Sequence, residues 1–155
     1  MKTLKLYITE GLKIGANTKV NTHSYHPKTK DELIKLVEKL IKERGDDADL
    51  NDIDVSDITD MCHIFAQSKF NGDISRWDVS KVTDMSWMFF YSKFTGENGN
   101  ISNWNVSNVE DISYMFYQSK FNGDISKWDV SNVTKMEYMF AKSPLEKNPP
   151  KWHKK

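Results

Sequence analysis

The chain has 155 residues, 22 of them basic and 22 acidic, so its formal net charge at pH 7 is zero. That balance gives no reason to expect a nucleic acid or an anionic membrane as partner, and the single cysteine, Cys62, excludes an internal disulfide. No segment reaches the roughly 18 consecutive apolar residues of a membrane-spanning helix. Taken in chain order, the first predicted element is a hairpin. Leu4, Leu6 and Ile8 alternate like a strand, and Glu10-Gly11 turns the chain into Leu12-Lys13-Ile14. Lys5, Glu10 and Lys13 also interrupt the apolar run that a secretory leader needs, so the sequence reads as cytoplasmic, with a non-classical route to the surface as the alternative. Next, Thr29-x-x-Glu32 opens a helix with Leu33, Ile34, Leu36, Val37, Leu40 and Ile41 on one face, Lys42 and Arg44 in the last turn and Gly45 as the stop. This helix is expected to cover the first of the repeats that follow, which makes residues 1–47 a hairpin plus capping helix.

Residues 48–147 repeat. Trp77-Asp78-Val79-Ser80, Trp104-Asn105-Val106-Ser107 and Trp128-Asp129-Val130-Ser131 recur after a weaker Ile53-Asp54-Val55-Ser56, with a 24-residue period and three extra residues around Glu97-Asn98-Gly99. Inside the second copy the apolar positions are Ile74, Trp77, Val79, Val82, Met85, Met88, Phe89 and Phe94; in the first they are Leu50, Ile53, Val55, Ile58, Met61, Ile64, Phe65 and Phe70. Trp77-x-Val79 has the alternation of a strand, whereas Val82, Met85, Met88 and Phe89 have helical spacing, and the serine between them is placed to cap the helix. Ser107 and Glu110 have capping-box spacing. Phe70-Asn71-Gly72-Asp73 and Phe121-Asn122-Gly123-Asp124 read as turns in which glycine supplies a positive φ. One copy cannot bury its apolar face alone, so the copies are expected to stack, their strands pairing in a parallel sheet at a spacing of about 4.8 Å. The predicted fold is α/β: a solenoid of four coils, each a short parallel strand plus a short helix. Residues 148–155, with Trp152 falling 24 residues after Trp128, form a partial repeat that protects the edge, the whole being one cooperative domain.

The spacing Ile-x-x-Trp-x-Val resembles the strand of leucine-rich repeats. The longer string Phe-Asn-Gly-Asp-Ile-Ser-x-Trp-Asp-Val-Ser-x-Val-Thr-x-Met-x-x-Met-Phe is similar to the repeat of BspA-like bacterial surface proteins, a repeat also found in Mycoplasma-type lipoprotein families, and it covers about residues 48–145. That resemblance implies a right-handed solenoid, adhesion to host proteins and no catalytic residues.

Two columns of outward residues are the candidate binding surfaces. On a helix that buries Val82, Met85 and Phe89, Trp87 points away from the core, and its equivalents are His63, Tyr114 and Tyr138, with Phe90, Tyr91 and Tyr117 beside them. Exposed tyrosine and tryptophan clusters are the material of binding hot spots. Packing of the rings between coils, and self-association as a homodimer, are the other readings of this stripe. On the strand face Asp54, Asp78, Asn105 and Asp129 form a polar column, flanked by Asp52, Arg76, Asn103 and Lys127, which vary from copy to copy. Stacked carboxylates either titrate upward, recruit a cation or cap their own turns, and Asn105, an acceptor without charge, favours the last of these over a calcium ladder. Lys69, Lys93 and Lys120 recur at a turn position, as a solvated edge or as steering for an acidic partner.

Catalytic patterns are weak. His23-x-x-His26 supplies two ligands where zinc takes four, and Cys62-His63 would lie on adjacent faces of a helix. No cofactor, metal site or catalytic residue is expected. The sequence therefore points to a non-enzymatic module that binds a protein through the aromatic or the polar column, with an adhesin-like surface protein and a structural or calcium-stabilised scaffold as alternatives.

Overall fold

The computed structural model describes residues 23–154, so the expected hairpin at residues 4–14 lies outside the described residues. The first element is the α-helix α1, Lys30–Arg44. Thr29 caps it, its hydroxyl accepting from the Glu32 amide at 3.2 Å, while the Glu32 carboxylate accepts from the amide of Lys28 at 2.7 Å. Gly45 ends it with a φ of 94°, and its amide donates to the Ile41 carbonyl at 2.8 Å. Leu33, Val37 and Leu40 are buried, and the Arg44 guanidinium grips both carboxylate oxygens of Asp52 at 3.0 and 2.9 Å.

The remainder corrects the expected architecture. Among the described residues there is no sheet and no second α-helix: the repeats contain only turns, isolated parallel bridges such as Asp60↔Asp84, Asp84↔Asp111 and Asp111↔Lys135, and one 3-10 turn at Pro144–Glu146. The chain is not a solenoid of strand-plus-helix coils. Where helices were expected, overlapping four-residue turns run in succession. The carbonyls of Met85, Trp87 and Phe89 accept from the amides of Met88, Phe90 and Ser92 at 3.3, 3.1 and 3.1 Å. The alternate amides, those of Met85, Trp87, Phe89 and Tyr91, donate across to the carbonyls of Asp111, Ser113, Met115 and Tyr117 at 2.9–3.0 Å. The same alternation joins 61–67 to 84–90 and 112–118 to 135–141.

The turns open at Asp-x-Ser pairs, and their reason lies in where the later amides go. The Asp84 carboxylate accepts from both the amide and the hydroxyl of Ser86, at 2.8 and 2.6 Å, and Asp111 does the same for Ser113 at 2.9 and 2.6 Å. The donors a helix would need are spent elsewhere: the amides of Phe89 and Tyr91, which a helix would give to the carbonyls of Met85 and Trp87, go to Met115 and Tyr117 of the next repeat, and a helix of under ten residues is too short to win them back. Ser80, Ser107 and Ser131, the expected caps, have no α-helix after them to cap, and Glu110, the expected capping-box partner of Ser107, instead donates its amide to the Thr83 carbonyl at 2.8 Å. Strands fail for a related reason. The carbonyls of Leu50, Ile74, Ile101 and Ile125 accept from the indole N–H of Trp77, Trp104, Trp128 and Trp152, at 2.9, 3.3, 3.1 and 2.9 Å, so side chains take the place of a backbone ladder.

The core follows the apolar pattern. Phe65, Phe89, Phe116 and Phe140 stack in one column at centroid distances of 5.5, 5.5 and 6.1 Å, and Phe70, Phe94 and Phe121 form a second at 6.1 and 5.9 Å. Leu50, Ile53, Val55, Met61, Val82, Met85 and Val109 are buried around them.

Each repeat holds two residues at positive φ: His63 and Gln67, Trp87 and Tyr91, Tyr114 and Gln118, Tyr138 and Lys142, with φ between 51° and 67°. Given the hydrogen bonds above, each is the third residue of a type II turn, a place that favours glycine. The turn glycines Gly72 and Gly123 are not at positive φ; among the described glycines Gly45 and Gly96 are. Gln67 is exposed, so it reads the backbone cost cleanly. Gln67→Val is expected to be less stable than Gln67→Gly by about 1–2 kcal/mol. Urea melts of the two variants check this, and coincident midpoints would remove the strained turn.

Candidate functional site: a column of rings on stacked turns

The positive φ of His63, Trp87, Tyr114 and Tyr138 carries their rings to one side of the stack, where they lie on one another. Centroid distances are 5.6 Å from His63 to Trp87, 4.2 Å from Trp87 to Tyr114 and 5.1 Å from Tyr114 to Tyr138, with interplanar angles of 9°, 11° and 28°. A shorter file runs beside it: Phe90 stacks on Tyr117 at 5.4 Å, and Tyr91 meets Phe90 at 4.5 Å and Tyr117 at 5.8 Å. Tyr91 and Tyr138 are 46% and 63% exposed and His63 is exposed as well, while Trp87, Tyr114 and Tyr117 are half-buried. Lys142 places its ammonium 5.6 Å from the Tyr117 centroid. The rings therefore do not stand out from a helix as expected; they pack face to face between repeats and present their edges.

The polar column is arranged differently. Oδ1 of Asp54, Asp78, Asn105 and Asp129 accepts from the amide two residues on, of Ser56, Ser80, Ser107 and Ser131, at 3.0–3.2 Å. Each thus caps its own turn, the reading that Asn105 favoured over upward titration or a calcium ladder, and hydrogen bonding from Ser56 holds the Asp54 carboxyl down at about 2 while that from Ser131 lowers Asp129. Asp78, Asn105, Lys127 and Asp129 are exposed, as is Arg76, whose guanidinium is 3.9 Å from Asp49. Asp52 belongs to Arg44, and His26 sits 3.3 Å from Asp54.

A second acidic column went unread in the sequence. Asp60, Asp84 and Asp111 stand at the bridges, followed by Lys135, and Cys62 lies among the first two, with one ligand atom from each of Asp60, Cys62 and Asp84 within 4.8 Å of the others. A cation is already supplied there, since the Lys30 ammonium is 2.8 Å from Asp60. Without a helix, and with residue 63 at a φ of 67°, Cys62 Sγ and His63 Nδ1 approach to 2.7 Å rather than lying on separate faces. Burial nonetheless pushes the thiol above its usual range, which keeps it protonated and a poor nucleophile at neutral pH. The repeated Asp-x-Ser phrase, visible in the sequence as Asp84-x-Ser86 and Asp111-x-Ser113, was the signal for this column.

Fold and surface together define a protein of tandem turns, tied repeat to repeat by backbone hydrogen bonds and faced with aromatic rings. The chain belongs to the family described as Mycoplasma protein of unknown function, DUF285, whose match spans residues 35–152. No curated protein and no solved structure matches the chain. The leucine-rich-repeat and BspA-like part of the resemblance gains no support from these comparisons. Among the described residues no helix is long and apolar enough to cross a membrane.

Proposed function

We propose that the chain is a non-enzymatic binding module that docks a protein partner along the ring column. The observation that carries this reading is the placement of an aromatic or imidazole side chain at the first positive-φ position of every repeat, His63, Trp87, Tyr114 and Tyr138, whereas the second such position holds Gln67, Tyr91, Gln118 and Lys142. Left-handed backbone is costly for a ring-bearing residue, and such strain concentrates where it serves a surface. Edge-on rings with Tyr91 and Tyr138 open offer large contact area at small loss of side-chain freedom. The polar column supports docking less, because one oxygen of each residue is committed to its own turn.

The double variant Tyr91→Ser/Tyr138→Ser tests the reading. Its stability is expected to fall by about 1 kcal/mol or less, the scale of exposed ring contacts, while proteins captured by the wild-type chain from lysate of the source cells are lost. Capture of the same proteins by a folded double variant would sink the proposal.

A further inference from the structure

At each internal junction, one repeat's alternate amides donate to the next repeat's carbonyls, so the last repeat ends in four amides with no further repeat to meet. They belong to Met136, Tyr138, Phe140 and Lys142. The Lys142 amide is capped by the Glu146 carboxylate at 3.1 Å, whereas those of Met136, Tyr138 and Phe140 find no acceptor among the described residues. These three residues line two adjoining clefts: Met136 and Tyr138 one, Tyr138 and Phe140 the other, with His153 shared by both. Tyr138 stacks on Tyr114 through one ring face and is 63% exposed.

We infer that this edge is a binding site for a polypeptide segment of a second chain, which adds itself to the stack as a further repeat does, its alternate carbonyls accepting from Met136, Tyr138 and Phe140. The internal junctions show the chemistry of the occupant. Segments 84–90 and 111–117 each begin with aspartate, present carbonyls from their first, third, fifth and seventh residues, and carry at the centre a ring, Trp87 or Tyr114, that lies on the ring of the preceding repeat. Main-chain bonds of this kind give affinity, and the side chains between them give selectivity. Charge favours the same occupant. Where the column Asp60, Asp84, Asp111 ends in Lys135, the lysine already lies 3.6 Å from Asp111, and its exposed ammonium can meet the leading aspartate of an incoming segment. The site lies at the end of the ring column rather than along its side, and shares only Tyr138 with the surface proposed above.

The test uses the full chain and a synthetic peptide with the sequence of residues 110–118, Glu-Asp-Ile-Ser-Tyr-Met-Phe-Tyr-Gln. Amide exchange followed by NMR is expected to show Met136, Tyr138 and Phe140 exchanging fast in the free chain and slowed about tenfold or more at saturating peptide. The Tyr114→Ser version of the peptide, and the Lys135→Glu protein with the parent peptide, should each bind about tenfold more weakly, a difference of about 1.4 kcal/mol. Tyr91→Ser in the protein should leave peptide binding unchanged, which separates this site from the side of the column. The inference is overturned if the three amides are already slow in the free chain, if the peptide does not bind at millimolar concentration, or if it protects other amides instead.

Discussion

Trp104→Ala is expected to lower the free energy of unfolding by about 3–5 kcal/mol, the scale of a large aromatic removed from a packed interior. Trp104 is 5% exposed, and its indole N–H reaches the Ile74 carbonyl at 3.3 Å. The truncation thus leaves two deficits: a cavity between neighbouring repeats, and a carbonyl that loses one of two donors, keeping only the Trp77 amide at 3.2 Å. Trp104→Phe separates them, because it keeps most of the volume and should cost only about 0.5–1.5 kcal/mol for the one lost hydrogen bond. Urea denaturation of both variants reads the difference. A loss below about 1 kcal/mol for the alanine variant would show that the indole does not join the repeats.

Gly72→Ala should be nearly as damaging, at about 3 kcal/mol or more, through overpacking rather than a void. A methyl carbon built on Gly72 would stand 2.0 Å from the backbone oxygen of Ala48 and 2.8 Å from its carbonyl carbon. Backbone cannot swing aside as a side chain can, and it is pinned here by the bonds from Asn71 to Asp46 at 2.7 Å, from Asp73 to Ala48 at 3.0 Å and from Leu50 to Asp73 at 2.9 Å. The methyl therefore pries the first repeat from the second. Gly123→Ala is the control: it meets ring atoms of Phe121 at 2.7 and 2.8 Å, as Gly72 meets a ring atom of Phe70 at 2.7 Å, but no backbone so close, so its loss should be smaller. Thermal melts of the two alanine variants decide it, and equal losses would contradict the close approach at Ala48.

The sequence disclosed what depends on side-chain burial and concealed what depends on backbone geometry. The positions of Met61, Phe65, Met85, Phe89 and Trp104 in the core follow from apolar spacing, because burial acts on the side chain whatever the backbone does. Helix α1 was legible because its start and stop signals, Thr29 and Gly45, are local. The turns were not. Apolar residues at three- and four-residue steps suit a helix and a run of overlapping turns alike, and the arbiter was the diversion of alternate amides, those of Phe89 and Tyr91 among them, to carbonyls of the next repeat. No residue preference announces Trp87 or Tyr114 at positive φ, since rings are poor candidates for that region. The aromatic column could be located in sequence, but its face-to-face stacking, and the approach of Cys62 to His63, follow from those dihedrals alone.

Because the bonds between repeats span only one period, order can be gained or lost one repeat at a time instead of all at once. The second and third repeats each have a neighbour on both sides, and α1 is tied to the first by Lys30 to Asp60 and Arg44 to Asp52. The fourth has one and, on its far side, only the short terminal segment that sets Trp152 against Ile125 and His153 against Phe140; it is also the least enclosed, with Val130, Val133 and Met136 partly buried where Val79, Val82 and Met85 are fully so. Melting should accordingly start there and travel toward the helix, and assembly should run the other way. A partner seated on the fourth repeat would then act as a clamp against unravelling, so that occupancy registers as a slower opening of the whole array and not just of the residues it touches.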